Sequence, residues 1–275
     1  MKKLIFNISG IVAALTTAVF MLTSCEQREF ADAAYPEQVI YMPAANYNNF
    51  MIDVVPEKRG SSPTPGYPER FKVDNQNGKF NVLLGVYRAG IYPDGSLNVD
   101  IMVNTDTISK LLAVTGALPA GTTLLPPDKY SLVSSVEIKD GERLAKFDLE
   151  VDLNFLMSNY PDVKYALGVG ISTTERKINP DLALAIIVID TKIMKPDAGF
   201  TFLASGGDPK TINFTNTSVN GVNYIWDFGD GSASSDTKSP AHTYSAAGNY
   251  NVTLTTIGIT GQPEQAAFST LVNIL

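Results

Sequence analysis

Alternation of apolar and polar side chains dominates the chain after residue 36. In "FDLEVDL" the apolar residues Phe147, Leu149, Val151 and Leu153 fall at every second position, so they face inward as a strand while Asp148, Glu150 and Asp152 face out. "FKVDNQNGKFNVLLGVYRAG", Phe71 to Gly90, predicts two strands around an Asn77-Gly78 turn. "QVIYMP" places Val39 and Tyr41 on one strand face, and "LALAIIVID", Leu182 to Asp190, is a strongly apolar strand. One stretch follows the helical period: in "DTISKLLAVTGAL" the residues Ile108, Leu111, Leu112 and Thr115 share a face, with Asp106 or Thr107 as the expected cap. "PEKRGSSPTPGYPER", Pro56 to Arg70, carries four prolines and two glycines and reads as loop. No tandem repeat at a fixed period is visible.

The pattern restarts after "MKPDAG", Met194 to Gly199, where "FTFLAS" again alternates Phe200 with Phe202. The expected class is all-β, with strands dominating two domains over residues 37–193 and 200–275; the resemblances given below imply that both are β-sandwich domains. In the second, Trp226 and Phe228 share a strand face, as do His242 and Tyr244, and as do Tyr250, Val252 and Leu254.

The first residues have a different character. Lys2 and Lys3 precede an apolar run from Leu4 to Leu22 that stops at Leu22-Thr23-Ser24-Cys25. A basic start, an apolar middle and small residues before a cut are what a secretory signal needs, although a run of this length would also span a bilayer. The cysteine decides between them, because the four residues resemble the lipobox of bacterial lipoproteins. That resemblance implies a leader over residues 1–24, lipid on the Cys25 thiol as the membrane contact, and a polar tether over residues 25–36. Glu26 and Glu29 are compatible with the acidic export signals of this lipoprotein class, so the expected location is the outer membrane, lipid-anchored on the cell surface.

Cys25 is the only cysteine, so no disulfide holds the exported chain and its cores must do so alone. Loss of Lys2 and Lys3 with the leader takes the formal charge from -7 to -9. An acidic chain without a basic stripe is not built for nucleic acid.

Short motifs add two family resemblances. "YPEQVIYMPAA", "GVYRAG", "LLPPDKYSL" and "YALGVGIS" occur in an order that resembles the N-terminal domain of unknown function (family 1735-like) of Bacteroidetes-type surface lipoproteins and glycan-degrading enzymes. The likeness runs over roughly residues 37–193, and it departs at Gly168, where a proline often stands in that family. It implies a β-sandwich with a non-catalytic role. "YIWDFGDGSASSDTKSPAHTYSAAGNYNVTLT", Tyr224 to Thr255, resembles the PKD domain along its whole signature and implies an immunoglobulin-like sandwich. Trp226, Phe228, His242, Tyr244 and Tyr250 are then core residues. Asp227, Asp230 and Asp236 are also calcium candidates, but the strict EF-hand spacing is absent and turn formation is the preferred role.

Little catalytic material remains. The sole histidine, His242, lies inside the PKD signature, and thiol chemistry has no cysteine but the anchor. Asp148, Glu150 and Asp152 recur about 7 Å apart along a strand, a spacing that suits an inverting glycosidase. Three like charges on one strand are better explained as a solvated face that protects a sheet. No cofactor or metal is expected.

Sugar binding needs flat rings beside amides and carboxylates. Exposed candidates are Tyr47, Asn48 and Phe50 in "AANYNNF", with Asn46 and Asn49 beside them, and Tyr92 and Asp94 in "GIYPDG". The expected function is a non-catalytic surface lipoprotein that binds or displays polysaccharide or oligosaccharide beside outer-membrane uptake proteins. The alternative is a structural or adhesive spacer between proteins. "DTI" at Asp106 to Ile108 also resembles a short O-glycosylation acceptor centred on Thr107, with the helix cap as the default role.

Overall fold

The computed structural model describes residues 37–55, 64, 65, 67 and 69–275, and residues Glu37–Leu275 form one compact unit. The leader, Cys25 and the tether lie outside the described residues, as does part of the expected loop at 56–70.

The first sandwich is built from β1 (Val39–Tyr41), β2 (Phe50–Ile52), β3 (Phe71–Asp74), β4 (Lys79–Ala89), β5 (Leu97–Val103), β6 (Thr122–Leu124), β7 (Tyr130–Ser131), β8 (Ser135–Ile138), β9 (Leu144–Asp152), β10 (Lys164–Ser172), β11 (Lys177–Ile178) and β12 (Leu184–Asp190). One sheet has the order β11-β1-β4-β9-β7, with β3 also on β4; the other has the order β2-β12-β10-β5-β8, with β6 also on β10. Between them lies one core that takes alternate residues from each strand, among them Val82, Leu84 and Val86 of β4, Phe147, Leu149 and Val151 of β9, and Ile187 and Ile189 of β12.

The continuous apolar run of β12 has a physical cause: its second face is buried too. Ile186 and Val188 join Ala166 of β10 and Ile108 and Leu118 in a smaller core on the outside of the second sheet. A strand covered on both sides has no polar face to offer water, so alternation disappears. The cover is the helix Thr105–Leu112, which lays Ile108 and Leu111 on that surface while Leu112 and Thr115 stay exposed. Its cap is Asn104, not Asp106 or Thr107: the Asn104 side chain accepts from the Thr107 N–H at 2.9 Å. The chain passes so close here that a Cβ at Gly168 would lie 2.5 Å from the Asn104 carbonyl, so glycine serves a tight contact. A second, unexpected helix, Leu153–Ser158, is capped by Asp152.

The second sandwich faces β13 (Phe200–Ala204), β14 (Thr211–Asn216) and β16 (Ala241–Thr243) against β15 (Asn223–Asp227), β17 (Gly248–Gly258) and β18 (Gly261–Ile274). Phe200, Phe214, Trp226, Phe228, Tyr244, Val252, Leu254 and Val272 fill it, a core separate from that of the first sandwich. Past the end of β17, Ile259 packs instead on the first core, and the Asn220 side-chain amide donates to the carbonyls of Lys192 at 2.9 Å and Lys195 at 3.3 Å.

Candidate functional site

The inward parity of β4 runs Val82, Leu84, Val86 and then Arg88, a charged side chain that is fully buried. Its guanidinium has five N–H donors, and it finds five carbonyls: Pro93, Asp94, Gly95, Lys139 and Glu142, at 2.5 to 3.1 Å. Burial pushes the Arg88 pKa down, aided by the nearby Arg176 charge, and Asp94 and Asp140 oppose that shift. Arg143 donates to the carbonyls of Gly90 and Ile91, and the Asp140 carboxylate accepts from the Gly95 N–H at 2.6 Å. Gln38 donates to the Tyr92 carbonyl and to the Asp94 carboxylate, each at 2.5 Å, and accepts from Arg176 at 3.2 Å.

The consequence is a loop with no regular structure whose backbone is nonetheless fixed from several directions. Out of it stand the side chains of Tyr92, 62% exposed, and Ile91, 48% exposed. Such a ring offers a flat apolar face whose presentation costs little ordering entropy on binding.

The other sugar candidates sit elsewhere. Tyr47 and Asn48 are exposed ahead of β2, at the edge of the second sheet. Phe50, expected on the same exposed loop, is fully buried as the first residue of β2 and belongs to the core, so it cannot meet a ligand. The Arg70 guanidinium stands 5.2 Å from the Tyr47 ring and 5.1 Å from that of Phe50, and donates to the Met51 carbonyl at 2.6 Å. Tyr47 is therefore partly committed to packing; Tyr92 and Asp94 lie in the connection from β4 of the first sheet to β5 of the second.

In the second sandwich Trp226 is fully buried and gives its Nε1–H to the Thr237 carbonyl at 2.9 Å. Asp227 accepts from the Gly229 N–H, and Asp230 accepts from the N–H and hydroxyl of Ser232 with one oxygen and meets His242 Nε2 at 2.8 Å with the other. Burial pushes the Asp230 carboxyl up, but the Ser232 hydroxyl, His242 and the Ser232 N–H outweigh it and hold its pKa at about 2. His242 stacks flat on Phe228 at 3.9 Å, Tyr244 donates to the Phe228 carbonyl, and Tyr250 donates to that of Ala246. Gly229, at φ 76°, is required because a Cβ would lie 2.5 Å from the Asn251 carbonyl. Among the described residues no group of three or more His, Cys, Asp or Glu side chains is arranged to hold a metal.

The carboxylate row of β9 is matched by lysines from neighbouring segments. Asp148 pairs with Lys72 at 2.9 Å and accepts from Tyr67, whose hydroxyl is pushed up to about 12 by burial and by that carboxylate. Glu150 meets Lys79 at 3.6 Å and the Ser131 hydroxyl at 3.0 Å; Asp152 meets Lys129 at 3.9 Å while it caps the helix behind it. Beyond the end of the row lies a polar pocket of about 330 Å³, lined by Asn77, Gly78, Lys79, Asp128, Lys129, Tyr130, Ser131, Asp152 and Asn154.

Sequence reasoning missed Arg88, Arg143 and most of that pocket. A charged residue at an inward parity was the available signal for Arg88. The pocket gave none, since its residues come from three separate turns.

The second sandwich is thus an immunoglobulin-like module organised around a buried tryptophan and aspartate-glycine turns. Residues 195–272 match the PKD domain family, and this part of the chain is a PKD domain. It is similar to the crystal structure of the PKD1 domain of a Vibrio cholerae metalloprotease, at 31% identity over 29% of this chain and 96% of that one, with a TM-score of 0.26. Longer likenesses come from Bacteroides ovatus. A candidate carbohydrate binding protein matches at 10% identity over 74% of this chain and 67% of that one, TM-score 0.36. A multidomain protein including DUF1735 matches at 12% identity over 74% and 89%, TM-score 0.33. No curated protein matches the chain.

Proposed function

We propose that this chain is a non-catalytic lipoprotein, anchored through Cys25 on the outer membrane, that binds carbohydrate at the cell surface for a glycan-utilisation system. The observation that carries the reading is the Gly90–Gly95 loop, where buried Arg88 and its neighbours fix the backbone and leave the Tyr92 ring exposed beside Asp94. An aromatic face stacks on the C–H face of a sugar, and a carboxylate beside it accepts from hydroxyls. The pairing of Asp148 and Glu150 with Lys72 and Lys79, and of Asp128 and Asp152 with Lys129, together with the structural engagement of His242, supports binding without hydrolysis. A shallow surface of this kind gives affinities of roughly micromolar to millimolar, which several copies on one cell raise by avidity.

The test is a glycan array with the full chain, with Tyr92→Ala and with Cys25→Ser, followed by product analysis. Tyr92→Ala should lower binding by about tenfold or more without change in melting temperature, and Cys25→Ser should leave array binding intact while removing binding by whole cells. Released sugar would overturn the non-catalytic assignment.

A second reading, an adhesive spacer, is favoured by one flank of the PKD domain. The outermost strands β13 and β18 expose Phe202, Leu203, Phe268 and Leu271, and a 5.3 Å ring contact between Phe200 and Phe268 brings the two edges together. Unpaired strand edges with apolar side chains suit contact with another protein. Failure of every glycan to bind moves the assignment to this role.

A further inference from the structure

We infer that the polar pocket between the β3–β4 turn, the start of β7 and the end of β9 is a binding site for one residue of a neutral, hydroxyl-rich glycan. The inference rests on the carbohydrate-binding reading and adds a site to it. β4 is 11 residues long, and at about 3.3 Å per residue its two ends lie on the order of 30 Å apart. Tyr92 follows one end and the pocket adjoins Lys79 at the other, so the two are separate sites.

The pocket is a product of the turns that meet there. Asp74 fixes the β3–β4 turn by accepting from the N–H and side-chain amide of Asn77, at 3.1 and 2.8 Å. The Gly78 carbonyl accepts from the Leu153 N–H at 3.0 Å, which ties that turn to the start of the second helix. A Cβ on Gly78 would stand 4.0 Å from the Asn154 side-chain nitrogen, so glycine leaves the space in front of that amide open.

Charge decides the class of ligand. Lys79 and Lys129 line the pocket together with Asp128 and Asp152, and they compensate one another: Lys129 stands 3.4 Å from Asp128 and 3.9 Å from Asp152, and Lys79 reaches Glu150 at 3.6 Å. An anion would meet the two aspartates and a cation the two lysines, so neither gains from entering. An apolar ligand would leave the amides of Asn77 and Asn154, the hydroxyls of Tyr130 and Ser131 and four charged groups without their water. A sugar hydroxyl both donates and accepts, so it can answer carboxylate, ammonium, amide and hydroxyl alike. A volume of about 330 Å³ is at the small end of ligand pockets and suits one ring of a longer chain.

The experiment is an amide-resolved NMR titration of the full chain with neutral oligosaccharides (xylohexaose, cellohexaose and mannohexaose), with a hexauronate as the charged control. At least one neutral hexasaccharide should shift the amides of Asn77, Gly78, Ser131 and Asn154, and the hexauronate should not. Asn154 is exposed, so its variants should fold. Asn154→Ala should weaken binding at these amides about three- to tenfold, the loss of one net hydrogen bond, and Asn154→Trp should fill the pocket and abolish it. Tyr92→Ala should leave these shifts unchanged. Binding that persists in Asn154→Trp with no shift at the pocket overturns this site and spares the function; a preference for the hexauronate overturns the ligand class; binding of no oligosaccharide overturns both.

Discussion

Arg88 is the residue on which the candidate loop depends. Burying a guanidinium is costly, and here five backbone carbonyls offset that cost; those of Pro93 and Lys139 also accept from the Gly141 and Glu142 N–H groups. Leucine at this position would fit the apolar parity of β4 yet take their side-chain donor from the Asp94, Gly95 and Glu142 carbonyls. Arg88→Leu should therefore destabilise the first sandwich by about 3 kcal/mol or more, and Arg88→Lys should recover only part of this, because an ammonium has three donors and no planar fork. Hydrogen exchange is the sharper measurement: Gly95, whose N–H is held by Asp140, should lose protection in both variants. Unchanged melting and unchanged exchange would show that the loop is fixed by its other contacts.

Elements were legible where one physical cause acted alone. The alternation of β9, the hairpin of β3 and β4 and the glycine-aspartate turns of the PKD domain follow from local spacing. Three features were not readable because they depend on a partner distant in sequence. Phe50 looked like a loop aromatic until its pairing with β12 turned it inward; Asn104 became the helix cap because the chain leaves β5 there; and the pocket needs three turns that only the fold brings together. The turn that holds Asp230 yields a pH prediction. Its carboxyl lies at about 2 in the folded domain against 3.8 for the ordinary group, so its contribution to stability is fully present above pH 3.8 and is lost as pH falls through about 2. In thermal melts the gap between the wild type and Asp230→Asn should be constant above about pH 5 and shrink as pH falls below about 3. A gap that stays constant to pH 2 would mean that the carboxylate is not favoured in the fold.

At the scale of the whole molecule, the issue is whether two sandwiches without a disulfide behave as one body. Inter-domain contacts within a chain are commonly loose, so specific ties matter. Here Lys195 meets Glu264 at 3.5 Å and stands 5.4 Å from the Tyr160 ring, the Asn220 side chain clasps the connecting segment, and Ile259 packs on the first core. The exposed ion pair contributes little, and the buried part of Ile259 contributes more, on the order of 1 to 2 kcal/mol. A rigid junction would hold the pocket and the PKD flank at fixed positions relative to one another. Ile259→Asp places a charge against the first core and should open the junction while each sandwich stays folded. Limited proteolysis should then cut the variant between residues 194 and 199 at least several-fold faster than the wild type, and equal rates would show that Ile259 does not hold the two domains together.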